Sequence, residues 1–193
     1  MALPLIYLAG VALGGLALAD AKSERDKQQR LRRYGISLDS GIEPSAIFKP
    51  QVNVAPKLGS IVCCYVYGVV EHTGIWIGDN SIVELHGSGL VRPVSIQRFL
   101  HDRSGSHIFI ASSTQAEAFA NEAAYQRSVE AIYQYRDYHL FNNNCHRFTW
   151  YCLTGQERMI DTFTEFNLLL QQQLKQVVCW DGLLNGDENE SKN

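Results

Sequence analysis

The sequence predicts an α+β domain, a small antiparallel sheet with helices packed on it, preceded by an N-terminal hydrophobic helix. Three observations carry this. Residues 60–112 hold short runs rich in β-branched and aromatic side chains, which suit a pleated, half-buried surface. From Thr114 onward apolar residues recur at helical spacing. Met1 to Ala19 contains no charged side chain.

Composition sets the frame. At 193 residues, 46% hydrophobic and 19% charged, the chain suits one domain with a real core plus an appendage. A net charge of −3 gives no case for nucleic-acid binding. The five cysteines, Cys63, Cys64, Cys145, Cys152 and Cys179, are odd in number and include an adjacent pair. That is a poor disulfide framework and points to a reducing compartment. The spacing holds no C-x-x-C and no zinc-type His/Cys cluster, so neither a metal nor another cofactor is expected.

The first segment, residues 1–19, poses a membrane question. As a helix it would be roughly 28 Å long, close to one hydrocarbon core. A transmembrane anchor is the leading reading. A cleaved signal peptide ending at Ala17-Leu18-Ala19 and a helix buried in protein are its rivals. The basic residues Lys22, Arg25, Lys27, Arg30, Arg32 and Arg33 follow the apolar run, which places the rest of the chain in the cytoplasm under the positive-inside rule. Gly10 and Gly14 form a G-x-x-x-G able to pack two such helices together. Residues 20–55 read as a basic helix and a linker, and 56–180 as the catalytic domain. The acidic tail, 181–193, reads as disordered.

Within the domain, Ser60 to Val70 reads as one buried strand. Asp79-Asn80 lies between two further strand-like runs and signals a hairpin. His107 to Ser112 is another strand. Thr114 with Glu117 forms a capping box that predicts a helix to about Arg136. A second helix runs from Cys145 to Gly155. A third runs from about Thr162 to Cys179, with Phe163, Phe166, Leu170, Leu174 and Val177 on one stripe.

A thiol at the start of a helix is favoured as thiolate by the unpaired N–H groups there, so Cys145 is the candidate nucleophile. It needs a base, and the base needs a partner to hold its ring. Side chains alternate along a strand, so Glu84 and His86 share a face. A two-residue turn at Asp79-Asn80 would set His72 on the face of Leu85 and Gly87. A three-residue turn including Gly78 brings His72 together with Glu84 and His86, and leaves Ile75, Ile77, Val83 and Leu85 as a consistent apolar surface. The second register is preferred. His72 is then the base and Glu84 its orienting partner, with His86 the rival third member. Asn144 precedes the helix and is either an oxyanion donor or a cap. The remaining four cysteines and the three tryptophans suit the core.

The segment "PKLGSIVCCYVYGVVEHTGIWIGDNSIVELHG", followed much later by "NNNCHRF", resembles the lecithin:retinol acyltransferase-like family, the permuted branch of the NlpC/P60 papain-like superfamily. The likeness spans about Pro56 to Gly155. His72 falls on the family's base, Cys145 on its nucleophile and Glu84 on its second histidine. Ser60 stands where the family has Asp, and His146-Arg147 stand where it has Glu-His. The resemblance implies a permuted papain-like fold and covalent acyl-cysteine chemistry. A membrane-anchored acyl hydrolase or acyltransferase acting on lipid esters is the leading expectation. An NlpC/P60-type amidase or peptidase on cell-wall or protein substrates, and a non-catalytic membrane-tethered binding protein, are the alternatives.

Overall fold

The structure, a computed structural model, describes residues 52–66, 70–101, 103, 106–137 and 144–184. The apolar N-terminal segment, most of the linker and residues 185–193 of the tail lie outside these. Among the described residues no helix is long and apolar enough to cross a membrane.

The architecture is α+β. The strands are β1 (Asn53–Val54), β2 (Ile61–Val66), β3 (Val70–Gly78), β4 (Ser81–Leu85), β5 (Val91–Ser95), β6 (Phe109–Ser112) and β7 (Cys179–Leu183). The helices are α1 (Ile96–Leu100), α2 (Glu122–Glu130), α3 (Cys145–Thr154) and α4 (Phe163–Leu174). The sheet is larger than expected and mixed: seven strands in the order β1-β7-β6-β2-β3-β4-β5, with β1 and β7 parallel and the other pairs antiparallel.

β7 explains most of that difference. Residues 179–183 read as a helix end and the start of a disordered tail. Instead they pair with β6, Cys179 opposite Ser112 and Gly182 opposite Phe109. The acidic residue that disguised the strand, Asp181, is fully buried and accepts a 2.6 Å hydrogen bond from the Ser112 hydroxyl. A buried carboxylate is tolerated when it is hydrogen-bonded in this way.

The run Ser60 to Val70 is likewise not one strand. Val66 pairs with Val70, so the chain reverses between them and β3 returns along β2. The next hairpin combines both registers that the sequence allowed. Its turn has two residues, Asp79 and Asn80, both with positive φ (47° and 53°), as a type I′ turn requires. Gly78 pairs with Ser81, but a bulge between Trp76 and Gly78 then shifts the register, so that Ile75 faces Val83. The extra residue sits in the strand, not in the loop as expected.

The helices depart from expectation at their ends. Thr114 does not cap a helix. Ser113 Oγ accepts from the N–H groups of Gln115 and Glu117, and Phe119 N–H donates to the Ala111 carbonyl, so the chain folds back beside β6. α2 starts only at Glu122, where Asn121 Oδ1 accepts from Ala124 N–H at 2.8 Å. α3 matches the expected span and ends on Gly155 in the left-handed conformation. α4 is capped by Thr162 and stops at Lys175, also left-handed, so Val177 falls beyond the helix.

Alternation along the strands sorts the core into two clusters on opposite faces of the sheet. Ile61, Cys63, Ile75, Val83 and Leu85 pack with Phe148 of α3 and with Phe166 and Leu170 of α4. Val62, Cys64, Trp76 and Ile82 pack with Val94 and Phe99. Gly59 locks the entry to β2. Its φ is +78°, and a Cβ there would lie 2.0 Å from the Asn121 carbonyl oxygen at the start of α2. Gly59→Ala is therefore expected to destabilise the fold by at least about 2 kcal/mol, seen as a lowered urea midpoint at unchanged slope.

Candidate active site

Cys145 is the first residue of α3, and the sequence before it makes the helix begin there. Asn144 is extended, and its Oδ1 accepts from the N–H groups of His146 (3.0 Å) and Arg147 (3.2 Å). Its side-chain nitrogen donates to the Ile160 carbonyl at 3.0 Å. Asn144 thus acts as a cap, and the two N–H groups that its oxygen engages face the cap, not a ligand. The first turn of α3 lies against β3. Thr149 donates to Thr73 Oγ1 at 3.0 Å, and Cys145 Sγ lies 3.9 Å from the Glu71 carbonyl oxygen.

His72 is buried on β3. Its Nε2 donates to Glu84 Oε2 at 2.8 Å, which leaves Nδ1 for the sulfur. Cys145 lies close enough to His72 that each moves the other's proton affinity. The structure thus brings together the sulfur from late in the chain and the imidazole from early in it. Phe99 lies tilted beside the imidazole, ring centroids 5.2 Å apart.

Glu84 is fully buried and is held by more than the histidine. Arg92 donates to Oε1 through Nε (3.0 Å) and its terminal nitrogen (2.8 Å), and Arg103 donates to Oε2 at 2.7 Å. Arg92 reaches it directly across the β4–β5 ladder, where the two residues are opposite each other. Arg103 follows α1 and also donates to the Phe99 carbonyl. His86, the rival third member, stands near this cluster but is engaged by another residue. Its Nδ1 is engaged by the hydroxyl and N–H of Ser88. Burial and the Arg92 charge both lower its pKa.

The electrostatics follow from these contacts. Burial opposes ionisation of Cys145, but His146 and His72 outweigh it and hold the thiol well below its usual range. Burial would lower His72, yet Cys145 and Glu84 raise it above the ordinary imidazole value. Burial would raise Glu84, but His72 and Arg103 depress it strongly. The other thiols behave oppositely. Burial pushes Cys64 and Cys152 up to about 12 and also raises Cys63 well above the usual thiol value. All five cysteines are free. Among the described residues no group of three His, Cys, Asp or Glu is placed to hold a metal ion.

Two residues of the site went unnoticed in the sequence, and a third, His146, was named without a role. Arg92 would have been visible had Val91–Ser95 been recognised as a strand beside β4. Arg103 leaves no pattern in the sequence. His146 registers in the sequence only as a departure from a family motif. In the structure its Nδ1 lies 3.8 Å from Cys145 Sγ. No protein-family model matches the chain, and no curated protein matches it.

Two outcomes are expected. Glu84→Gln leaves two guanidiniums without their anion, so stability falls by about 3–5 kcal/mol in urea denaturation. Because the folded carboxyl is depressed, its contribution is complete above the ordinary carboxylate range and is lost as pH falls below it. Iodoacetamide should modify Cys145 selectively. Its rate should level off at a lower pH than that of an ordinary thiol, because its pKa is lowered. Peptide mapping after a short pulse reads both features.

Proposed function

We propose that this chain is a Cys–His thiol acyl hydrolase or acyltransferase that acts on lipid esters through a covalent acyl-cysteine. One observation carries the reading: a thiol at the N-terminus of a helix meets an imidazole whose far nitrogen is held by a buried carboxylate. Nucleophile, base and orienting group are the minimum set for this chemistry.

The steps follow from the geometry. The Cys145 thiolate attacks the ester carbonyl carbon, a C–S bond forms, and the carbonyl π pair moves onto oxygen. The Cys145 N–H, at the first helical position where no intrahelical acceptor exists, supports that oxyanion. As the C–O bond breaks, the leaving alkoxide takes the proton from His72. His72 then removes a proton from water or an acceptor alcohol, whose oxygen attacks the thioester and releases the thiolate. Glu84 keeps Nε2 protonated throughout, so Nδ1 is the nitrogen that exchanges the proton.

The lipid substrate rests on the sequence. A chain tethered by residues 1–19, with a basic run after it, holds its site beside anionic head groups on the cytoplasmic side. The resemblance to the lecithin:retinol acyltransferase-like family, and through it to a permuted papain-like fold, agrees with both the order of His72 and Cys145 and the chemistry.

The test is intact-mass measurement after incubation with a short-chain phosphatidylcholine. Wild type should gain one acyl mass that hydroxylamine removes, and Cys145→Ala should gain none. Release of peptide from muropeptides without any acyl adduct would replace the lipid reading with an amidase one.

A further inference from the structure

The mechanism above uses one imidazole, yet a second touches the sulfur. His146 is buried directly after Cys145, with Nδ1 3.2 Å from Thr73 Oγ1 and 3.8 Å from Cys145 Sγ. Its ring is held from α4, stacked on Phe166 (centroids 5.5 Å apart, 21° between planes) and edge-on to Phe163 at 5.7 Å. Thr149 donates to Thr73 Oγ1, so the lone pair it occupies is spent and the Thr73 proton can turn to His146.

We propose that His146 is a second positioning imidazole on the reacting sulfur, and that the Thr73 hydroxyl competes with that sulfur for its Nδ1. The inference rests on Cys145 being the nucleophile. With Cys145 as a thiol, the Thr73 hydroxyl donates to Nδ1 and His146 carries its proton on Nε2. With Cys145 as a thiolate, Nδ1 carries the proton and donates to sulfur, and the Thr73 proton turns away. The S–H bond breaks as its proton passes to His72, His146 gives up the Nε2 proton and takes one at Nδ1 by exchange with water, and the Thr73 O–H only rotates, so the proton count is conserved.

The surroundings make this contact matter. Around Cys145 stand His72 and the backbone of Glu71 on β3, and His146 on its own helix. Cys63 and Cys64 of β2 are close enough to feel its charge, while Glu84 and Arg103 act on it through His72. Around His146 stand Thr73 of β3, Thr149 and Cys145 of α3, and the two aromatic rings of α4. In this dry setting a hydrogen bond to a thiolate is stronger than in water.

The experiment is the pH dependence of Cys145 alkylation in the full-length protein and three variants. His146→Phe keeps a flat aromatic ring, though a larger one, but removes Nδ1, and should raise the apparent thiol pKa by about one unit, a tenfold slower reaction on the acidic limb. His146→Asn places an amide N–H near the Nδ1 position and should recover part of that loss. Thr73→Val removes the competitor and should shift the profile the other way, by about fivefold in rate. A residue that merely fills space would not give opposite signs at the two positions. A His146→Phe profile that superimposes on wild type overturns the proposal, as does a Thr73→Val shift in the same direction. If His146→Phe loses its cooperative unfolding transition, the other two variants decide, and a Thr73→Val profile equal to wild type overturns it. Acyl-adduct mass is read on the same samples. Opposite shifts with no adduct keep His146 in its role and reject the acyl chemistry; an adduct with unchanged profiles does the reverse.

Discussion

The site depends on one buried anion. Glu84 has no contact with solvent, and taking a carboxylate out of water costs several kcal/mol unless it is paired. Here it accepts from His72, Arg92 and Arg103 at once. These partners come from β3, β5 and the segment after α1, so the charge ties the far half of the sheet to the helix that follows it. Two guanidiniums against one carboxylate leave the cluster net positive before the imidazole is counted. A thiolate at Cys145 supplies the second anion. The same excess of positive charge that keeps Glu84 ionised therefore favours the ionised sulfur, and it would favour an oxyanion formed there.

β3 is the wall on which the site is assembled from both sides. His72 and Thr73 are consecutive, and strand alternation sends them to opposite faces. His72 joins Phe99 and the Glu84 cluster on one face. Thr73 joins Thr149, His146 and the aromatic rings of α4 on the other. The sulfur meets both imidazoles because α3 begins at the Glu71 carbonyl, beside this pair. A shift of one residue in the register of β3 would exchange the two faces and dismantle the site. The bulge between Trp76 and Gly78 fixes that register while permitting the tight Asp79-Asn80 turn.

Much of this was legible in the residues, and the gaps have physical causes. The span of α3 was readable because Asn144 and Gly155 mark its ends by capping chemistry. The His72–Glu84 pair was readable from alternation, once the apolar surface of Ile75, Val83 and Leu85 chose the register. Thr114-x-x-Glu117 misled because local capping signals carry no information on whether β6 has first claimed the chain through the Ala111 carbonyl. β7 was hidden because Asp181 and Gly182 look like turn residues, and only the distant Ser112 hydroxyl makes the aspartate acceptable. Arg103 and His146 owe their places to contacts far apart in sequence or around a helix start, which no periodicity encodes.

The pairing of Glu84 with two arginines has an evolutionary corollary. A neutral side chain at position 84 would face two guanidiniums and could not neutralise them, and a cationic one would be repelled by both. Positions 84, 92 and 103 are thus epistatic: no member changes alone without stranding a charge. Lineages carrying this arrangement should keep or lose the three residues as a block, and a carboxylate at the third position should travel with its two arginines.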